Sequence, residues 1–512
     1  MYTVRVLSEI DDRLDAEYYN PEALVTINKM ETKGSITTFG SLVSEGYRVV
    51  YHGTDSTNGL KDNETLPFLS PTQIDKDGAI SFENTDRLPI YYKDKYPKGL
   101  GSVGEILVEV KGNVSKVGII PRDFPKNLMI SGSLYKATLD ATRADSHYIL
   151  AFLKSKHGQT LKNRLTSNTI INYIAKDALY SIPIIELNAI TQKYIGDKVR
   201  QAEELRAWAK ELESEIEQVL NTSEYLVACN TPDTKISHPT LNDLSNRLDP
   251  KYYDSKAIAV ERFTKKSGTL LGSLIKSIAN GFEERNFVNE GVPYITVTEV
   301  SSGRLNVQDA PQIGSDISIP SKAIIHERCV LVVRTGSIGT AIKVNILDKG
   351  CVISSHLIRL EFEEEETAAA VSVFLNSTAG KILLHKISYG AVQPQIGQEE
   401  LLALYIPDYV LNKKTTCLTL LENYELTTRA SKSLIRTAKT LVEALIEGQL
   451  TEGQLIKAQQ ALEDGDNTLD KAILSKLSSE GYAVEGATPL FSDIDELYSL
   501  LASATAAADS ED

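Results

Sequence analysis

Arg13-Leu14-Asp15-Ala16-Glu17-Tyr18-Tyr19-Asn20 returns later in the chain as Arg247-Leu248-Asp249-Pro250-Lys251-Tyr252-Tyr253-Asp254. Outward from this pair, the same order of fragments recurs. Gly40-Ser41-Leu42 matches Gly272-Ser273-Leu274, and Leu66-Pro67-Phe68-Leu69 matches Val292-Pro293-Tyr294-Ile295. Ile106-Leu107-Val108 matches Val330-Leu331-Val332, Phe152-Leu153 with Gly158 matches Phe374-Leu375 with Gly380, and Ile182-Pro183 matches Ile406-Pro407. Preserved order with little drift in spacing is the mark of one module written twice.

Each copy reads as a mixed domain. A short helix follows the Tyr-Tyr segment, from Pro21 to about Met30 in the first copy. β-branched runs punctuated by Gly, Pro, Asn and Asp then predict short strands. Helical spacing appears over 148–161 and 368–384, and a strand ending in proline closes each copy at Pro183 and Pro407. After it the apolar period lengthens to about three and a half. Ile195, Val199, Ala202, Leu205, Ala209, Leu212, Ile216 and Val219 form one stripe. Cys417, Leu421 and Tyr424 form a second, which resumes after a break at Ala430, Leu434, Ala438, Leu441 and Leu445. Such stripes need a partner; the simplest one is the other helix, and the alternative is two independent helical hairpins on the domain surfaces. The expected fold is therefore α+β: two tandem domains joined by two long antiparallel coiled-coil helices about a pseudo-twofold. Residues 1–185 form the first domain, 186–222 the first helix, 223–407 a linker and second domain, 408–462 the second helix, and 463–512 an acidic extension. Within that extension 469–477 reads as a short helix. Phe491, Ile494, Leu497, Leu500 and Leu501 form an apolar stripe that either docks on a partner or folds back.

The 512 residues exceed one typical core, with 42% apolar and 24% charged residues, as in ordinary globular protein. The start of the chain shows no cationic, apolar leader, and no apolar run reaches the ~20 residues of a membrane span; a cytoplasmic protein without membrane contact is expected. Cys229, Cys329, Cys351 and Cys417 lack ligand spacing and read as buried reduced thiols. The net charge of −15 argues against a wholly DNA-binding surface.

The chain resembles the DNA-specificity subunit of type I restriction-modification systems. The twin Arg-Leu-Asp-x-x-Tyr-Tyr starts carry this resemblance, as does Gly281-Phe282-Glu283-Glu284-Arg285-Asn286-Phe287 with Gly291-Val292-Pro293-Tyr294-Ile295. Val332-Val333-Arg334-Thr335-Gly336-Ser337-Ile338-Gly339 and Gly390-Ala391-Val392-Gln393-Pro394-Gln395-Ile396 complete it. The resemblance covers about residues 1–460 and implies a non-catalytic subunit. Two target-recognition domains would read a bipartite, asymmetric double-stranded DNA site. Two adenine methyltransferase subunits carrying S-adenosylmethionine would be recruited, with restriction-translocase subunits in the full complex. It also implies that the Arg13, Tyr18, Tyr19 and Arg247, Tyr252, Tyr253 segments lie where methyltransferase docks, although Arg13 and Arg247 beside acids equally suit structural buttressing. The first copy departs from the family pattern at 110–118 and 167–172, and the tail beyond 464 extends past it.

Base edges are read by Arg or Lys, Asn or Gln, and Ser or Thr, and phosphates by basic side chains, hydroxyls and backbone amides. These chemistries point to Arg334, Thr335 and Ser337, to Gln393 and Gln395, and to Arg285, Asn286, Thr296, Thr298 and Arg304 in the second copy. In the first they point to Arg48, Tyr51, His52 and Thr54, to Ser70, Thr72 and Gln73, and to Lys111, Asn113, Ser115 and Lys116. A solvated polar loop or ordinary turn is the competing reading for each.

Catalysis finds little support. No Asn/Asp-Pro-Pro-Tyr/Phe motif or Gly-rich cofactor loop is present. Ser377-Thr378-Ala379-Gly380-Lys381-Ile382 lacks the first glycine and final hydroxyl of a phosphate loop. Asp94 with Glu109-Val110-Lys111 could suggest a metal-dependent nuclease, yet the second copy has no acid at Val333-Arg334-Thr335. No metal or catalytic residue is expected, and no cofactor in this chain. The alternative is a protein-interaction scaffold of a DNA-modification or phage-defence complex that does not itself read DNA.

Overall fold

The computed structural model describes residues 13, 15–167, 171–234, 236–300, 303–390 and 392–511. The N-terminal stretch read for a leader, Leu14, residues 168–170 of the departing loop and Ala391 lie outside them. The chain forms two units, Met1–Trp208 with Thr427–Asp512, and Ala209–Leu426.

In the first unit, helix Pro21–Lys33 starts from the Asn20 cap, whose side chain accepts from Glu22 N at 2.9 Å, with proline at the first helical position. Strand Ile36–Thr38 pairs antiparallel with Pro183–Ile185; Pro183 thus begins the closing strand rather than ending it. A four-stranded antiparallel sheet runs in the order Val43–Tyr47, Leu134–Leu139, Ile106–Glu109, Val117–Ile119. All of Ile106–Glu109 is buried, as its central place requires. A second sheet sets Asp86–Pro89 antiparallel and Met129–Ile130 parallel to Thr65–Leu69. Leu69, Ile74, Leu107, Ile120, Leu128, Ile130 and Leu134 form a core cluster here.

The second unit repeats this plan. Gly268–Leu270 pairs with Tyr405–Pro407. The four-stranded sheet runs Ile275–Asn280, Leu357–Phe362, Cys329–Val333, Ala341–Lys343. The other sheet again contains one parallel pair, Val292–Ile295 with Val352–Ile353. Even the bulge recurs, between Val43 and Glu45 and between Ile275 and Ser277.

The helical segments expected over 148–161 and 368–384 are each broken in two: Ser146–Lys154 with Lys156–Asn163, and Glu365–Asn376 with Thr378–Ile387, the latter bent by 79°. A serine makes each corner. Ser155 Oγ accepts from Gly158 N, and Ser377 Oγ from Gly380 N, both at 3.1 Å, so each caps the second helix.

Helix Ala189–Leu220, of 32 residues, is about 48 Å long at ~1.5 Å per residue. It starts in the first unit and ends in the second. Helix Lys414–Glu447, of 34 residues, starts in the second and ends in the first. The stripe Ile195, Val199, Ala202, Leu205, Ala209, Leu212 and Val219 is buried, and Ile216 is half-buried. The break expected after Tyr424 interrupts only the hydrophobicity, because Thr427, Thr428 and Ser431 continue the buried face with hydroxyls. Gly448, at φ +77°, ends this helix.

The extension folds back within the first unit. Helices Thr468–Leu474 and Ile494–Glu511 meet the first long helix through Asp470, which is 1% exposed. Its carboxylate accepts from Tyr194 (2.5 Å), Lys198 (2.7 Å) and Tyr498 (2.5 Å). All four cysteines are buried thiols, and burial pushes those of Cys329 and Cys417 up to about 11. Among the described residues no single helix is long and apolar enough to cross a membrane, and no acid, His and Cys group could hold a metal.

Candidate nucleic-acid interface

In each unit the fold joins two loops far apart in sequence. In the first, Lys111–Gly112 pairs with Asn172–Tyr173, and Ile174 N donates to Val110 O at 2.9 Å. In the second, Thr335 bridges Gln395, Gly336 N donates to Pro394 O, and Ile396 N donates to Arg334 O at 2.9 Å. Residues 111–116 and 334–339 thus occupy the same place in two copies of one frame, each backed by the loop that precedes the closing strand.

A buried carboxylate shapes the first of these loops. Glu109, 4% exposed, accepts from the backbone amides of Asn113 (3.1 Å), Ser115 (3.0 Å) and Lys116 (3.1 Å). These bonds stabilise the left-handed backbone at Gly112 and Val114, and the side chains of Lys111, Asn113 and Ser115 face solvent. The Glu-x-Lys pattern therefore orders a loop. Replacing Glu109 with alanine leaves three amides without their acceptor, and hydrogen exchange at 113, 115 and 116 is expected to quicken at least tenfold, roughly the loss of one charge-assisted bond. Unchanged protection would show that the loop holds its shape without the carboxylate.

Other candidates fall into two groups. His52, Thr54, Lys111, Asn113, Ser115, Ser337 and Gln393 are exposed and make no side-chain hydrogen bond among the described residues. Asn286 and Thr298 are exposed as well, as is Arg285, whose guanidinium forks Glu283.

The second group has structural work. Tyr51 is packed among Phe68, Tyr92 and Tyr96 with its hydroxyl on Ile130 O at 2.9 Å, and burial pushes its phenol well above the ordinary range. Ser70, Thr72 and Gln73 bond one another around a tight turn, with Ser70 N on Gln73 Oε1 at 2.9 Å. Thr296 does the same with Glu299, at 2.8 Å from its amide and 2.6 Å from its hydroxyl. Thr335 is buried in the loop pairing, and Gln395 is held there by its backbone. Arg334 Nη1 reaches Ser355 O at 3.3 Å. Arg304 lies against Tyr424 of the second long helix, with Nε 3.0 Å from the hydroxyl and the guanidinium 4.8 Å from the ring centroid. Arg48 is half-buried, with Nε on Gly132 O at 2.6 Å and Nη1 on the Tyr173 hydroxyl at 3.2 Å.

The twin Arg-Leu-Asp-x-x-Tyr-Tyr segments are matching internal clips. Arg13 forks Asp15 and donates to Leu165 O and Thr166 O; Arg247 forks Asp249 and donates to Ile387 O and Ser388 O. Hydrogen bonds from each arginine hold its aspartate below the usual carboxylate range. Tyr19 and Tyr253 each donate to the arginine's own carbonyl at 2.7 Å. The neighbouring Tyr18 and Tyr252 lie under Arg164 (4.3 Å) and Lys386 (3.6 Å). Each clip ties the module's start to the end of its bent helix pair.

The sequence offered Glu109 only as part of a possible metal site and not as the organiser of its loop, because that role needs a loop closing back on its own strand. Sequence reading missed Lys176 and Gln398, whose place beside the paired loops shows only in the fold. The acid or amide three residues after Ser70 and Thr296 was the available signal for the two turns.

No family model matches the chain, and no curated protein does. Solved structures do. A type I restriction-modification system S subunit from M. genitalium is 13% identical, with a TM-score of 0.40, covering 81% of this chain and 95% of that one. The HsdS subunit from Thermoanaerobacter tengcongensis is 12% identical, with a TM-score of 0.27, covering 81% and 97%. A structure described by the assembly and conformational transition of the type I R-M system is 13% identical, with a TM-score of 0.28, covering 81% and 96%.

Proposed function

We propose that this chain is a DNA-specificity subunit: a non-catalytic protein whose two modules each read one half of an asymmetric double-stranded target. The observation that carries the reading is one frame displaying two different polar loops. Clips, sheets, bulges and bent helices agree between the copies, while 111–116 and 334–339 do not. A scaffold under constraint with divergent display loops suits recognition of two unlike half-sites. The long helices would be the ruler between them. Their length of ~50 Å is about one and a half turns of B-DNA at ~34 Å per turn. The chain's charge of −15 opposes tight binding alone, so the grip on DNA would be shared with two adenine methyltransferase subunits. These would supply the chemistry and S-adenosylmethionine, and restriction-translocase subunits could join them.

Gel-shift binding with and without a co-expressed adenine methyltransferase tests this. A shift in the presence of the methyltransferase is expected, and no shift under either condition would favour the scaffold without DNA reading. Exchanging residues 40–183 for the corresponding module of another specificity subunit is expected to change one half of the methylated site and leave the other. Methylome sequencing in which both halves changed would remove the modular assignment.

A further inference from the structure

Beside the loop pair of the first unit lies a groove of about 290 Å³, whose walls include Tyr47, Arg48, Tyr173 and Lys176. Strand register identifies its counterpart in the second unit. Val43 and Glu45 oppose Leu139 and Thr138 across the bulge, as Ile275 and Ser277 oppose Phe362 and Glu361. Counting forward, Arg48 corresponds to Asn280. On the other wall Tyr173 pairs with Lys111 as Gln395 bridges Thr335, and helices Lys176–Tyr180 and Gln398–Leu402 follow at equal spacing. Lys176 therefore corresponds to Gln398.

In the second unit these two positions close on each other, with Gln398 Nε2 donating to Asn280 Oδ1 at 3.0 Å. In the first they are an arginine and a lysine, which cannot bond to each other because neither accepts. Arg48 uses Nε and Nη1 on Gly132 and Tyr173, and Lys176 Nζ lies 5.0 Å from the centre of the Tyr180 ring. Among the described residues no carboxylate pairs with either cation. Two like charges thus line one open groove, in a protein of net charge −15, at the place where the sister module has a neutral, self-satisfied pair.

We propose that this groove is an anion site, present in the first module only, that takes a backbone phosphate of double-stranded DNA; it rests on the DNA-reading function above. A phosphate between the two cations replaces their repulsion with charge-assisted hydrogen bonds, and the counterions it displaces add affinity. It fixes the position of the first module without reading sequence.

The test uses the full chain in whichever state shifts DNA in the experiment above. Affinity for a labelled duplex is measured between about 50 and 200 mM salt for the native protein, Lys176→Gln, which installs the second module's residue, and Lys176→Arg. Lys176→Gln is expected to lower the slope of log affinity against log salt by about one, weakening target and scrambled duplexes alike, and Lys176→Arg to keep the native slope. Thermal melting of each variant guards against misfolding, which Lys176→Arg would also reveal. An unchanged slope in Lys176→Gln, with native binding intact, overturns this site and leaves the specificity function standing. Absence of native binding overturns both. Calorimetric titration with inorganic phosphate supplies the remaining arm: binding that Lys176→Gln abolishes, with the DNA slope unchanged, would assign the groove to free phosphate and overturn the DNA contact.

Discussion

Replacing Asp470 with alanine is expected to destabilise the first unit by about 3–5 kcal/mol, because it strands a buried ammonium. Lys198 is 2% exposed and 2.7 Å from the lost carboxylate, and the Tyr194 and Tyr498 hydroxyls lose their acceptor with it. Urea unfolding followed by the chain's only tryptophan, Trp208 in the first long helix, measures the loss. Replacing Lys198 and Asp470 together with methionine and leucine should recover most of it, since an apolar pair of similar volume avoids the stranded charge. A single variant as stable as the native protein would show that the extension is not anchored there. The same group predicts an acid response. Burial alone would raise the Asp470 pKa, but the Lys198 ammonium and three hydrogen bonds outweigh it and hold the carboxyl below 3.8. Its contribution is therefore complete above about pH 4 and fades as the pH falls through the lowered value. The acid-induced loss between neutral pH and about pH 3 should be smaller in the double replacement.

Alanine at Gly158 or Gly380 is expected to be comparably damaging, about 3 kcal/mol or more. A Cβ at Gly158 would stand 1.9 Å from Phe152 O, and one at Gly380 2.2 Å from Phe374 O. The obstacle in each case is the carbonyl of the preceding helix at the serine corner, so no flexible side chain can move aside. Relief requires opening the corner and withdrawing the second helix from Arg13 or Arg247, which bond carbonyls at or just beyond its end. Gly453 is the control. It lies in helix Glu452–Glu463 with nothing within 4 Å of where an added methyl would stand, so alanine there should be neutral or stabilising by up to ~1 kcal/mol. Thermal melting of the three variants checks the order, and equal melting points would remove the corner argument.

The clips were legible because both partners lie within a short motif. Arg13 with Asp15, and Arg247 with Asp249, are two residues apart and repeat, so pairing could be read without a fold. The buried stripe was legible for a related reason, since helical period reports which face is covered. The bends at Ser155 and Ser377 were not. Apolar spacing runs on through both corners, and only the glycine three residues later marked the close approach.

The candidate interface divides in the same way. Polar chemistry in a loop identified residues able to touch DNA, but a hydroxyl or guanidinium serves equally well inside. Tyr51, Arg304 and Thr335 resemble His52, Asn113 and Ser337 in the alphabet of recognition, yet each is engaged by a distant part of the chain. What the sequence by itself determined is the duplication, its α+β character, the helical stripes and the clips, all of which rest on local spacing or repetition. What only the tertiary structure decided is which polar groups remain available to a ligand, and that Arg48 and Lys176, far apart in sequence, share one groove. Availability depends on neighbours brought together by the fold, and no periodicity along the chain records them.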